Sequence, residues 1–183
     1  MNTLFTLTKR ALWAALIVLL LGAAGTVNAQ TFTVGNLNYS VNEGTQTVTL
    51  TGHVDGTNAT GELIIPDSVL YQGNYYAVTT IGNNAFFQCV GFSGSLTIPN
   101  SVTTIGELTF YQCNGFTGSL TIGNSVTTIG HSAFDGCSSF TGSLTFGNAV
   151  TTIERYAFCG CSGFTGSLTI PNSVTTIGNG AFE

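Results

Sequence analysis

A 24-residue repeat is the feature that most constrains the fold of this 183-residue chain. It runs through four complete copies, residues 82–105, 106–129, 130–153 and 154–177, and twelve of the 24 positions are identical in all four. Periods of about 20 to 50 residues are typical of solenoids, in which each repeat is one coil that buries its apolar face against neighbouring coils. The repeat therefore predicts a stack of coils, none of which is expected to fold alone.

Partial copies flank the four complete ones. Residues 61–81 form a degenerate first copy with nine extra residues inserted within residues 70–78, and residues 178–183 begin a truncated fifth copy. The insert contains Gly73-Asn74 between tyrosines, which predicts a β-hairpin.

Apolar residues within one copy follow no single period. Their spacings in the copy that starts at Gly82 are 3, 3, 4, 2, 4 and 3, so neither one helix nor one strand spans the repeat. Residues 96–98 have the alternation of a short strand with Thr97 outward, and residues 85–89 have the spacing of one helical turn. The predicted core positions of this copy are Phe86, Cys89, Phe92, Leu96, Ile98, Val102 and Ile105.

Stacked coils place identical residues above one another at about 4.8 Å. One predicted ladder is Asn100, Asn124, Asn148 and Asn172, which we interpret as structural because asparagine side chains satisfy backbone groups at corners. We hypothesise that the uniform serine and threonine ladders bind a repetitive ligand, a glycan chain or an extended protein strand; alternatively they are simply polar residues that favour strands. The candidate binding residues are Ser95, Thr97, Ser119, Thr121, Ser143, Thr145, Ser167 and Thr169.

The motif that starts at Cys89 has Phe92, Leu96, Ile98-Pro99, Val102 and Ile105-Gly106 at fixed intervals. It resembles the BspA-like leucine-rich repeat of bacterial surface proteins, also called the Treponema pallidum type, over residues 61–183. The resemblance implies a β-rich leucine-rich-repeat solenoid of 24-residue coils, and a small β-rich N-terminal cap at residues 30–60. It also implies a secreted or surface-attached protein without catalytic activity that binds host matrix proteins, other cells or glycans.

The N-terminus carries the features of a secretory signal peptide. Lys9 and Arg10 precede an apolar run at residues 11–25, which is shorter than the roughly 20 residues of a membrane-spanning helix. Small residues before Ala29 predict cleavage after it; an uncleaved membrane anchor is the alternative. The mature chain then has one cation, Arg155, against eight carboxylates. This charge argues against nucleic-acid binding and against attraction to anionic membranes. The signal peptide predicts a secreted or cell-surface location, without membrane insertion after cleavage.

Residues suited to catalysis or metal binding are scarce. His53 and His131 lie far apart, outside any recognisable catalytic or metal motif, and both are predicted at the surface. A glycan hydrolase needs two carboxylates close together, whereas Glu107, Asp135 and Glu154 occupy non-equivalent repeat positions. We therefore expect no enzymatic activity, no metal and no cofactor.

Five cysteines in an exported chain raise the possibility of disulfide bonds. Four of them share one repeat position between core phenylalanines, which favours buried reduced thiols, although stacked coils also bring these sulfurs near each other. Cys159 occupies a different position and is predicted to be exposed. The four periodic residues are Cys89, Cys113, Cys137 and Cys161.

These observations favour an interaction module or adhesin with an extracellular protein or glycan ligand. The alternative is a structural spacer, or a fragment of a larger surface protein that displays another domain. Because solenoids require polar capping repeats and the fifth copy is truncated, end-to-end self-association through an uncapped C-terminal coil is also expected.

Overall fold

A computed structural model of the chain describes residues 30–183, so the predicted signal peptide lies outside the described residues. The described part consists of short strands and turns, and its one helical element is a 3-10 helix at Gly56–Asn58. The strands are β1 (Thr31–Val34), β2 (Leu37–Asn42), β3 (Thr47–His53), β4 (Thr60–Gly61), β5 (Ser68–Tyr71), β6 (Asn74–Ile81), β7 (Gly91–Phe92), β8 (Leu96–Thr97), β9 (Thr104–Ile105), β10 (Leu120–Thr121), β11 (Thr128–Ile129), β12 (Leu144–Thr145), β13 (Thr152–Ile153) and β14 (Thr176–Ile177).

The largest sheet has nine strands and runs the length of the stack. Its order is β1-β2-β3-β6-β9-β11-β13-β14, with β5 attached to β6. From β6 onward, each coil contributes one Thr-Ile pair in parallel, so that Ile105 pairs with Ile81 and with Ile129. The β-branched isoleucines point into the core, and Ile81, Ile105 and Ile129 are fully buried.

The residues before the first coil belong to the same sheet. Strands β1, β2 and β3 form an antiparallel meander, and β3 then pairs in parallel with β6. Tyr39, Val48 and Leu50 of this meander are buried in the common core. The predicted insert hairpin is present as β5 and β6, and its two-residue turn is Gln72-Gly73, one position earlier than expected. Both turn residues have positive φ, as a tight hairpin turn requires.

A second, three-stranded parallel sheet lies on another side of the coils. Strand β10 pairs with β8 and with β12, so Thr97, Thr121 and Thr145 are in register. The fourth copy of this sequence, at residues 168–169, forms no strand. The expected threonine ladder therefore ends at Thr145, and Thr169 lies outside it. A third sheet consists of β4 and β7 alone.

Residues 85–89 differ from the expected helical turn. Single turns are closed by Phe87 N–H to Asn84 O and by Cys89 N–H to Phe86 O. The intervening amides of Phe86 and Gln88 instead donate to carbonyls of the next coil, at 2.8 Å each. A helix would use these donors within the segment; here they contribute to stacking, because residues 84 and 88 adopt the left-handed conformation.

The core is one continuous column of side chains. All seven predicted core positions of the copy that starts at Gly82 are at most 2% exposed, which confirms the prediction for these positions. Phenylalanine rings stack from coil to coil in two columns at centroid distances of 5.0 to 5.6 Å. One column is Phe86, Phe110, Phe134, Phe158 and Phe182; the other is Phe92, Phe116, Phe140 and Phe164.

Hydrogen bonds between coils run in both directions along the stack. In the three-stranded sheet, Leu96 N–H donates to Ser119 O of the following coil at 2.9 Å. In the nine-stranded sheet, Thr127 N–H donates to Thr103 O of the preceding coil at 2.8 Å. Each coil is therefore hydrogen-bonded to both neighbours. Its N–H groups point toward the following coil in the three-stranded sheet and toward the preceding coil in the nine-stranded sheet.

Candidate binding groove

A groove of about 780 Å³ follows the three-stranded sheet across four coils. Its floor includes Thr97, Thr121 and Thr145, whose side chains are exposed and in register. The adjacent corner contributes Asn100 and Asn124. Parallel strands separate equivalent residues by about 4.8 Å, so the groove presents three hydroxyl groups in a row.

The sheet threonines differ from the threonines of another exposed column in their hydrogen bonding. Thr103, Thr127 and Thr151 each donate from Oγ1 to a carbonyl of the preceding coil, at 3.1 Å. Among residues 30–183, the hydroxyls of Thr97, Thr121 and Thr145 have no partner in the protein. The hydroxyls of Thr103, Thr127 and Thr151 therefore stabilise the stacking of the coils. The hydroxyls of the sheet threonines remain available in the groove as hydrogen-bond donors and acceptors.

The predicted serines have mainly structural contacts. Ser95 Oγ accepts the backbone N–H of Ser119 at 3.1 Å, and Ser119 Oγ accepts the N–H of Ser143 at the same distance. Ser95 lines the groove, but Ser119 and Ser143 do not. Ser167 and Thr169 lie outside it, Ser167 beside a different cavity. Four of the eight candidate residues are thus brought together: Ser95, Thr97, Thr121 and Thr145.

The predicted asparagine ladder is present at Asn100, Asn124 and Asn148, but no hydrogen bond among the described residues extends it to Asn172. Asn100 Oδ1 accepts the N–H of Asn124 at 2.7 Å, and Asn124 Oδ1 accepts the N–H of Asn148 at 3.4 Å. These bonds join successive coils at the corner beside the groove. The asparagine side chains therefore hold the groove wall in place.

The opposite wall comes from the degenerate first copy, which the sequence does not predict to be part of a site. It contains Glu62, Ile64 and Asp67, and the side chain of Ile64 is 71% exposed. Glu62 and Ile64 also line a neighbouring cavity of about 410 Å³ beside the N-terminal meander. No lysine or arginine lines either space within the described residues. The sequence feature that could have indicated this wall is the pair of carboxylates, Glu62 and Asp67, at the start of the repeats.

The structure corrects one prediction about the histidines. The His53 side chain is only 8% exposed and packs edge-on against Phe92 at a centroid distance of 5.9 Å, so it is not a surface residue. Its Nδ1 accepts the backbone N–H of Asp55 at 3.1 Å. His131 is half-buried, with its ring 6.1 Å from that of Tyr156.

The four periodic cysteines are free thiols; Cys89, Cys113 and Cys137 are buried in the core, and Cys161 is half-buried against it. Cys113 Sγ donates to Phe86 O at 2.9 Å, and Cys137 Sγ donates to Phe110 O at 3.0 Å. Burial raises the pKa of Cys113 from 9.0 to about 12 and raises the pKa of Cys137 well above its usual value. These sulfurs are neutral hydrogen-bond donors. Cys159 is only partly exposed, less than predicted.

No group of three or more histidine, cysteine or acidic side chains among residues 30–183 is arranged to hold a metal ion. Within the same residues, no helix is both long enough and apolar enough to cross a membrane.

Parallel strands that recur at a fixed interval, with leucine and isoleucine directed inward, define a leucine-rich-repeat solenoid. Residues 74–183 match the model of the BspA type Leucine rich repeat region in six copies. The chain therefore belongs to the BspA-type leucine-rich-repeat family.

Solved structures show the same fold. A leucine-rich repeat protein from Bacteroides ovatus is 33% identical with a TM-score of 0.72, and the match covers 82% of this chain but 38% of that one. The T. pallidum Leucine Rich Repeat protein is 24% identical with a TM-score of 0.70, covering 84% and 66% of the two chains. The chain thus spans less than half the length of the Bacteroides ovatus protein. No curated protein matches the sequence.

Proposed function

We propose that this chain is a secreted or cell-surface protein that binds an extracellular protein or glycan along the groove, and that this binding mediates adhesion to host matrix or to other cells. Membership of the BspA-type family supports the proposal, as does the predicted signal peptide. The proposed activity is binding without catalysis.

The observation that carries this proposal is the set of three exposed hydroxyls without protein partners, at Thr97, Thr121 and Thr145. A threonine hydroxyl is both a donor and an acceptor. A row of such groups at strand spacing suits an extended ligand whose own polar groups repeat. The exposed Ile64 adds apolar surface on the facing wall.

The charge of the groove limits the class of ligand. Glu62 and Asp67 are its charged side chains, and Arg155 is the one cation among residues 30–183. Polyanions such as nucleic acids are bound mainly through clustered lysine and arginine. The proposed ligand is therefore a neutral or basic extended polymer.

Paired threonine substitutions test the proposal. Thr121→Val with Thr145→Val removes two hydroxyls but keeps the branched shape that favours a strand. Thr127→Val with Thr151→Val is the matched control, because it removes hydroxyls from the other exposed column. Binding to immobilised matrix proteins, immobilised glycans and whole cells is measured for both variants. We expect the first pair to weaken binding by about tenfold or more, equivalent to about one hydrogen bond of 0.5–1.5 kcal/mol for each hydroxyl, and the control to bind normally.

A second pair, Thr121→Lys with Thr145→Lys, blocks the groove with long cationic side chains. If both this variant and the valine variant bind every surface as tightly as the unmodified chain, the groove is not the binding site. That result favours the alternative, a structural spacer that displays another domain. The length of the related proteins supports this alternative, since the match covers 38% of the Bacteroides ovatus protein.

End-to-end self-association remains a prediction. Ile177, in the last strand β14 of the nine-stranded sheet, is 52% exposed. Exposed apolar surface of this kind favours association. Light scattering over a range of protein concentrations measures it, and a monomer at the highest concentration contradicts the prediction.

A further inference from the structure

The sequence Gly-Ser-Leu-Thr occurs four times, but its fourth copy at residues 166–169 has a different structure from the others. In the first two copies, Leu96 and Leu120 are completely buried. Leu168 is 46% exposed and belongs to no strand. Residues 166–169 therefore do not join the three-stranded sheet, although their sequence is identical to that of the three copies that do.

The separation begins at Gly166. The preceding residue is still attached, since Thr165 N–H donates to Gly142 O at 2.9 Å. Gly118 and Gly142 pack closely against the serine of the preceding coil, whereas Gly166 has a φ of +90° and open space around it. The chain rejoins the stack at Ser173, whose Oγ donates to Val150 O at 2.7 Å, and at Thr175, whose N–H donates to Thr151 O at 2.9 Å. The displaced part is thus a short loop in an otherwise stacked coil.

This displacement leaves a pair of donors at the edge of β12. At the preceding junction, Leu120 and Ile122 donate their N–H groups to Ser143 O and Thr145 O, at 3.0 and 2.8 Å. The equivalent N–H groups of Leu144 and Phe146 have no acceptor among residues 30–183. Two unpaired donors on alternate residues are the pattern with which a strand accepts a parallel neighbour.

An apolar cavity adjoins these donors. Its volume is about 360 Å³, and its walls include Leu144, Phe158, Phe164 and Phe182. Leu168 borders the cavity without filling it, as its exposure shows. The space adjoins the position that the leucine of an added strand would occupy.

We propose that the edge of β12 is a strand-addition site for an extended peptide segment of another protein. The peptide lies parallel to β12, and two of its carbonyls accept the N–H groups of Leu144 and Phe146. A leucine-sized apolar residue between those carbonyls enters the cavity, flanked by small polar residues. Main-chain bonds supply affinity and the cavity supplies selectivity, as in other strand additions. The site adjoins the groove, because β12 carries Thr145 and Phe146 lines the groove. It uses the backbone N–H groups of Leu144 and Phe146 and does not rest on the proposed adhesive function.

Amide hydrogen exchange with a synthetic peptide tests this site. The probe has the sequence Gly-Ser-Leu-Thr-Ile-Pro, and its control has serine in place of leucine. In the free chain, we expect the amides of Leu144 and Phe146 to exchange much faster than those of Leu120 and Ile122. Saturation with the probe slows exchange at these two amides by about tenfold or more, and the control peptide has no such effect.

Three outcomes overturn the proposal. Slow exchange at Leu144 in the free chain, as slow as at Leu120, means that the chain's own segment occupies the edge. The Leu168→Ser variant checks this, because removal of a docked leucine would accelerate exchange at Leu144, whereas we expect no change. Protection that rises with protein concentration, without peptide, assigns the edge to a second copy. Failure of the probe to protect either amide refutes strand addition.

Discussion

Replacement of Phe134 by alanine removes the middle ring of a five-membered phenylalanine column. Phe134 is completely buried, and its ring is 5.1 Å from that of Phe110 and 5.2 Å from that of Phe158. Both pairs are nearly parallel, at 9° and 3°. The substitution therefore leaves a cavity between two coils and removes two stacking contacts at once.

The expected loss is large relative to the stability of a domain. A buried phenylalanine replaced by alanine costs about 3–5 kcal/mol, and each aromatic pair contributes roughly 0.5–1.5 kcal/mol beyond its buried area. Because Phe134 has two ring partners, we expect a decrease in the free energy of unfolding near 5 kcal/mol. Typical domains have about 5–15 kcal/mol in total.

The matched control is Phe182→Ala, in the same column. Phe182 is 39% exposed and stacks on one ring, that of Phe158, at 5.4 Å. We expect this variant to lose only about 1–2 kcal/mol. Urea unfolding followed by circular dichroism measures both variants. Equal losses for Phe134→Ala and Phe182→Ala would refute the idea that continuous stacking through the coils stabilises the fold.

Three further predictions concern the thiols and the turn segment. Burial raises the pKa of Cys113 from 9.0 to about 12, so this thiol ionises first in the unfolded chain. Cys113 alone therefore lowers the free energy of unfolding by at most about 1.4 kcal/mol per pH unit as pH rises through this range, and the buried Cys137 and the half-buried Cys161 add to the slope. Urea titrations in reductant measure the slope, and Cys113→Ala reduces it. Alkylation of the folded, unreduced chain followed by mass spectrometry labels the partly exposed Cys159 before the buried Cys137; the reverse order contradicts the assignment. Leu108 has a φ of 53°, a left-handed conformation that asparagine tolerates better than leucine. We expect Leu108→Asn to raise the free energy of unfolding by about 1 kcal/mol. The reciprocal substitution Asn84→Leu, at an equivalent position, should lower this free energy.

Much of the fold was predictable because repetition multiplies each local signal. The spacing of Phe86, Cys89 and Phe92 recurs in every complete copy, and these positions are buried in the first three copies; in the fourth, Cys161 and Phe164 are only half-buried. The hairpin insert was visible from a glycine between tyrosines. The Thr-Ile strands, such as Thr104–Ile105, were not predicted, although their β-branched residues are identical in all copies and provided a usable signal.

Other features depended on contacts that no local pattern contains. Residues 85–89 have helical spacing, yet two of their amides bond to the next coil, and this choice depends on the stack as a whole. The groove needs a wall from residues 62–67, which belong to the divergent first copy. The Leu168 segment has the same sequence as its equivalents, so only its surroundings distinguish it. Local sequence therefore predicted the coil better than the site.

The opposed hydrogen bonds between coils have an electrostatic consequence. In an α-helix all peptide dipoles align, and the ends carry partial charges that attract ions. Here the amides of Leu96 and Thr127 point in opposite directions along the stack, so their dipoles largely cancel. We expect neither end of this solenoid to act as a charged pole, however many coils are stacked. Any association at its ends then depends on shape, apolar contact and strand pairing, and is expected to change little with salt.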